Sequence, residues 1–188
     1  RGKMQHVTFH TDLVVEDLFN DGTMFDGSSI AGWKDINESD MVLLPDASTA
    51  KMDPFYQQDT IALFCDILEP DTGEAYNRDP RGTTKAAAEY MRSANVGDEV
   101  YFGPEAEFFV FDDVRWNTDK NVTGYAIDST ELPENTGTQY QGGNMGHRPG
   151  PKGGYFPVPP VDSAQDMRSE MISVMEELGL RPEKHHHE

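Results

Sequence analysis

VYFGPEAEFFVFD (Val100–Asp112) is the stretch on which the reading turns. Taken as a strand, its side chains alternate between two faces. Phe102, Pro104, Ala106, Phe108 and Val110 form an apolar face that belongs against a core. Tyr101, Gly103, Glu105, Glu107, Phe109 and Phe111 share the other face. Two carboxylates then lie roughly 6–7 Å apart at Cα, with aromatic rings beyond them. Phe109 and Phe111 want cover, and covered carboxylates must lose their charge or meet a cation. Hard oxygen ligands suit magnesium or manganese. Two ordinary surface glutamates on a strand edge are an equally good reading of parity alone.

Outward from this stretch, the 188-residue chain has room for one large or two small domains. Its mean hydropathy of −0.65 and the lack of any long apolar run exclude a membrane span. The chain opens on Arg1 and carries no signal peptide, the start expected of a fragment or processed form. A single cysteine, Cys65, rules out an internal disulfide framework and fits a reducing, cytoplasmic compartment. A net charge of −19 argues against sequence-independent nucleic-acid binding, which needs a basic footprint.

The first 78 residues read as a small, strand-dominated domain. Gln5–Phe9, Asp40–Pro45 and Thr60–Leu68 have strand character, and Asp12–Asn20 has room for one or two helical turns. Met24–Trp33, MFDGSSIAGW, reads as a loop with one acid, Asp26, and one indole, Trp33. Composition favours a loop folded back on its own domain, and the alternative is a loop that meets a partner surface. A helix begins next, with Asp79 as N-cap, Pro80 at the first helical position and Gly97 ending its reach. The domain boundary falls near Asn77–Asp79, giving domains 1–78 and 79–188.

Asn117–Tyr140 is polar and reads as a long loop or an insertion hairpin. Gln141–Pro160 holds six glycines and five prolines, too many for a helix or central strand. His147, Arg148 and Lys152 make it locally basic, and Tyr155 and Phe156 favour an ordered functional loop. Val161–Gly179 is the strongest helix, with Asp162 and Gln165 as a capping box and Gly179 at C′. Ala164, Met167, Met171, Val174, Met175 and Leu178 form its expected buried stripe. LRPEKHHHE (Leu180–Glu188) reads as a strand on which His186 and Glu188 share a face, or as a tag scar.

MFDGSSIAGW, FGPEAEFFVFDD, NMGHRPGPKGGYFPVPPVD and KHHHE, in this order and at these spacings, resemble bacterial-type (type I) glutamine synthetase. The resemblance runs the length of the chain and looks like that family without its first strand and with more than half of its catalytic domain absent. It implies an α+β fold: a β-grasp N-terminal domain followed by an incomplete catalytic α/β domain. It implies ATP-dependent ligation of ammonia to L-glutamate through γ-glutamyl phosphate, with ATP as substrate and two Mg2+ or Mn2+ ions. By resemblance Glu105, Glu107 and Glu188 are metal ligands, Glu183 contacts ATP, and Asp26, Ser29, Tyr155 and Glu188 line the ammonium pocket. Asp26 and Glu188 carry the catalytic roles, and Trp33 lies on an interface loop. The family assembles as stacked rings, a dodecamer, with each active site between neighbours. Most of the nucleotide pocket and the glutamate-binding arginines are missing, so the fragment alone is expected to be inactive. Residue chemistry without the resemblance leaves two other classes: a non-catalytic acidic module that binds metal or assembles, and a carboxylate-pair glycoside hydrolase.

Overall fold

The computed structural model describes residues 3–132 and 148–188. His147 and the parts of the two long loops within 133–147 lie outside the described residues. The chain forms two compact units, residues 1–103 and 104–188.

The first unit is built on a three-stranded antiparallel sheet of β1 (Thr23–Asp26), β2 (Asp40–Pro45) and β5 (Cys65–Leu68), in the order β1-β2-β5. Phe25 lies opposite Met41, and Leu43 opposite Ile67. These residues share one face by register, and the core forms there. Met41, Ile67 and Tyr76 are buried, with Phe25, Trp33 and Leu43 packed against them. A small second ladder pairs β3 (Lys51–Met52) with β4 (Ile61–Ala62). Thr60–Leu68 is therefore two short strands broken at Leu63 and Phe64, not one. A short helix α1 (Glu16–Asn20) precedes β1, and residues 5–9 form no strand.

Helix α2 (Pro80–Ser93) starts as its sequence demands. The Asp79 carboxylate accepts from the backbone N–H groups of Arg81 and Gly82. It ends earlier than expected, because Asn95 rather than Gly97 takes the left-handed conformation, at φ 54°. Arg81 pairs with Asp46 and, at 3.0 Å, with Asp66; Lys85 reaches Asp66 at 2.6 Å. These ties hold α2 in the first unit, so that compact unit runs past residue 78 to Gly103.

Val100–Asp112, which runs from the end of the first unit into the second, corrects the sequence reading. It forms no strand, and Phe102, Phe108, Phe109 and Val110 are exposed. A strand's backbone groups must be paired by neighbouring chain, and among the described residues only its last one, Asp112, meets a strand, its N–H donating to the Asp128 carbonyl of the next hairpin at 2.8 Å. Phe109 and Phe111 still stack, their ring centroids 5.9 Å apart. Beyond it β6 (Asp113–Asp119) and β7 (Val122–Asp128) form a hairpin with all seven pairs in register. The hairpin therefore opens before the polar stretch expected to hold it.

Helix α3 (Gln165–Glu177) ends in a Schellman turn. The Gly179 N–H donates to Glu176 and the Leu180 N–H to Met175, both at 2.9 Å, with Gly179 at φ 80°. Its start differs from the capping-box expectation. The Asp162 carboxylate turns to the Arg168 guanidinium at 2.6 Å, and the helix has no side-chain cap. Arg168 thus sits on the buried face, while Met167 and Met171 of the expected stripe are exposed.

Candidate functional site

In the first unit, Asp26 closes β1 and caps a single 3-10 turn over Gly27–Ser29. Its carboxylate accepts from the Ser28 N–H at 2.9 Å, the Ser28 hydroxyl at 2.6 Å and the Ser29 hydroxyl at 3.0 Å. The Ser28 hydroxyl, followed by the other donors, holds the exposed carboxyl below the usual aspartate range. Gly27 makes the turn possible, since a Cβ there would meet the Met41 sulfur at 2.5 Å. The sequence thus presents a fixed anion at the sheet edge. Trp33 ends the same segment, half-buried beside Phe25 and, at 5.2 Å, Tyr76. Its carbonyl accepts from the Tyr76 hydroxyl at 2.7 Å. The indole placed on an interface loop by resemblance therefore packs on its own unit's core, and Met24–Asp26, expected in a loop, is strand.

In the second unit, Gly154 brings two predicted residues together. A Cβ on Gly154 would meet the Glu188 carbonyl oxygen at 2.5 Å, so only glycine lets this loop approach the 185–188 segment so closely. Tyr155 follows, stacked on Phe156 at 4.1 Å, and both rings meet His186 edge-on. His186 Nδ1 in turn lies 3.7 Å from a Glu188 carboxylate oxygen. Phe156 adopts φ 56°, a left-handed conformation that is strained for a bulky residue. The Phe156 N–H donates to the His187 carbonyl at 3.3 Å.

The 185–188 segment is not a strand, yet its side chains alternate. His185 and His187 are half-buried; His186 and Glu188 are exposed. Arg168 Nε donates to His185 Nδ1 at 3.2 Å. His187 places Nδ1 2.6 Å from the Gly154 carbonyl and Nε2 2.6 Å from Glu131 Oε2. Both partners can only accept, so both ring nitrogens carry hydrogen and the ring is cationic. Burial is the largest single effect and opposes that charge, but the Glu131 hydrogen bond, the Gly154 carbonyl and the charges of Glu131 and Asp162 together raise the His187 pKa. Burial likewise opposes the Glu131 charge. The Ser163 hydroxyl and His187 overcome it and hold the carboxyl low.

The predicted metal ligands are not gathered. Glu105 and Glu107 lie exposed on the irregular segment, and Glu183 is exposed as well. Among the described residues, the three-residue group able to hold a metal is Glu131, Asp162 and His187, with donor atoms within 4.8 Å. The hard carboxylate oxygens of Glu105, Glu107 and Glu188 suit a divalent ion in donor chemistry, though not yet in arrangement. Sequence reasoning missed Glu131 and Arg168. The parity that joined His186 to Glu188 could have set His185 and His187 on the opposite side. Nothing local marks Glu131, whose partner His187 is 56 residues away.

A family model described as glutamine synthetase, beta-Grasp domain matches residues 1–70, and one described as glutamine synthetase, catalytic domain matches residues 77–188. The chain is 64% identical over all 188 residues to glutamine synthetase of Rhizobium meliloti (strain 1021), covering 40% of that protein. It is 59% identical over 188 residues to the Escherichia coli (strain K12) enzyme of the same name, again covering all of this chain and 40% of the relative. The fold is similar to that of Plasmodium falciparum glutamine synthetase, with a TM-score of 0.86 over 96% of this chain and 35% of that one, at 24% identity. This chain thus spans about two fifths of the length of the relatives it matches. No helix among the described residues is long and apolar enough to cross a membrane. With the two models together covering nearly its whole length, the chain belongs to the glutamine synthetase family, as a β-grasp domain followed by part of a catalytic domain.

Proposed function

We propose that this chain is the N-terminal part of an ATP-dependent glutamate–ammonia ligase. The observation that carries the reading is the identity of 64% over all 188 residues to a glutamine synthetase. In this reading residues 1–78 are the β-grasp domain and 79–188 begin the catalytic domain. The glutamate γ-carboxylate takes the terminal phosphoryl group of ATP, releasing ADP. Ammonia then attacks the acyl carbon of γ-glutamyl phosphate, and phosphate leaves.

Glu105, Glu107 and Glu188 would hold two Mg2+ or Mn2+ ions, and Glu183 would contact ATP. Such ions, when bound, neutralise charge on the transferring phosphoryl group. Asp26, with Ser29, Tyr155 and Glu188, would bind ammonium. The depressed pKa of Asp26 refines its role. Asp26, held anionic, would stabilise the ammonium cation and accept its proton, which frees the nitrogen lone pair for attack. The complete enzyme is a cytoplasmic stacked-ring oligomer, a dodecamer, in which the Met24–Trp33 segment covers a neighbour's catalytic sheet. The exposed, ungathered Glu105 and Glu107 favour a chain that is catalytically incomplete by itself.

The test assays γ-glutamyl hydroxamate from glutamate, ATP, hydroxylamine and Mn2+. A full-length chain carrying this segment should turn over, its Glu107→Gln variant should lose at least a hundredfold, and the 188-residue chain should be silent. Equal activity in the full-length Glu107→Gln variant would remove Glu107 from the metal site.

A further inference from the structure

We propose that Glu131 is a positioning residue, which acts through His187 to fix the direction of Glu188. The proposal rests on the reading of Glu188 as a metal ligand. Glu131 belongs to none of the motifs that carry the family resemblance, and it touches none of the proposed ligands.

The geometry is a chain of contacts with each end tied down. Glu131 Oε1 accepts from the Ser163 N–H at 2.9 Å and its hydroxyl at 2.7 Å, and so is anchored just before α3. Its other oxygen accepts from His187 Nε2. The opposite nitrogen of that ring donates to the Gly154 carbonyl. His187 is therefore held at both ends of its ring and cannot rotate without breaking a charge-assisted bond. One residue earlier, His186 packs on Tyr155 and Phe156. One residue later, the Glu188 backbone rests on Gly154.

Alternation does the rest. With the odd-numbered histidines drawn inward, His186 and Glu188 must point outward, and their spread about that direction is limited by the His187 ring. Phe156 gives independent support. Its strained φ of 56° is held by stacking and by the N–H bond to the His187 carbonyl, so the same residue fixes both loops. Asp162 pairs with Arg168 in the same way, so both carboxylates of the cluster are tied to a side chain across it. A cluster whose donors and acceptors are already used on one another is what a clamp needs, whereas a metal there would have to break the Glu131–His187 and Asp162–Arg168 contacts.

Two measurements test this. Backbone 15N order parameters at Phe156 and His186, on the 188-residue chain, read the clamp. Mn2+ affinity of a full-length chain carrying this segment reads its consequence at Glu188. In Glu131→Ala the order parameters should fall from rigid values toward about 0.6, and Mn2+ affinity should weaken about tenfold, as loss of a supporting contact does elsewhere. Glu131→Gln, which keeps an acceptor for His187, should recover most of both. If Glu131→Ala loses the β6–β7 amide pattern and so has unfolded, Ser163→Ala replaces it, with smaller changes of the same sign.

Unchanged order parameters would overturn the clamp whatever the metal does. Lowered order parameters with unchanged Mn2+ affinity would make the contact purely structural and overturn the positioning role. If Glu188→Gln itself leaves Mn2+ affinity unchanged, the ligand reading fails and the positioning claim with it, while the order parameters still judge the clamp. Mn2+ bound to the 188-residue chain and lost in His187→Ala but not in Glu188→Gln would make the trio a metal site, which also overturns it.

Discussion

At the scale of single residues, the two proposed chemical groups are prepared in opposite ways. Asp26 is exposed, and its charge is favoured by local donors two and three residues along the chain. Glu188 takes its placement from residues far away in sequence. The first arrangement was legible: MFDGSSIAGW shows an acid followed by two serines at turn spacing. The second was not, because nothing near residue 131 announces a partner at 187. The Asp26 account has a direct check. Ser28 supplies the largest lowering effect, so Ser28→Ala should raise the Asp26 pKa by more than Ser29→Ala does. A carboxyl-carbon NMR titration measures both. A larger rise in Ser29→Ala would assign the anchoring to the wrong hydroxyl.

Elements divide by where their hydrogen bonds come from. Helices α2 and α3 satisfy their own backbone, so caps, periodicity and Gly179 located them within a few residues. A strand borrows half its bonds from a neighbour. Parity in Val100–Asp112 told which side chains belong together, and the stacked Phe109 and Phe111 agree. It could not say whether a neighbouring strand is at hand. The start of α3 was misread for another reason: Asp162 fits a capping pattern, but a buried guanidinium is the stronger partner for its carboxylate. The side chains of this pair are 5% and 10% exposed. Arg168→Met should strand the Asp162 charge and cost about 3–5 kcal/mol, measured by urea unfolding. The Arg168 hydrogen bond depresses the Asp162 pKa in the folded chain. A depressed carboxylate contributes stability above its unfolded value, and that stability is lost as pH falls through the folded value. Unfolding curves taken below pH 3.8, the ordinary aspartate value, should therefore show the parent chain losing its advantage over Arg168→Met. A gap that stays constant through the acid range would exclude the ion pair as its source.

At the scale of the whole molecule, buried apolar side chains are few among the described residues. Met41, Ile67 and Tyr76 make the buried core, while Tyr101, Phe102, Phe109, Trp116 and Tyr125 stand more than two thirds exposed. Exposed aromatic surface of this extent marks chain that is covered in its complete setting. A sequence spanning two fifths of its relatives is consistent with that. The family and its two-domain order were legible in the motifs, which lie along the chain within the two matched domains. The placement of Glu105 and Glu107 relative to Glu188 was not, because alternation within one segment says nothing about residues far along the chain. On the proposed reading, Asp26 and the glutamates Glu105, Glu107 and Glu188 serve one active site formed between subunits of the full-length enzyme. The most direct test of that reading mixes two full-length subunits, Asp26→Ala and Glu107→Gln, each inactive alone, by dissociation and reassembly in equal amounts. A shared site in a head-to-tail ring predicts recovery of roughly a quarter of parental glutamine formation, because one interface in four pairs an intact loop with an intact sheet. No recovery in rings shown to contain both subunits would mean that Asp26 serves its own chain.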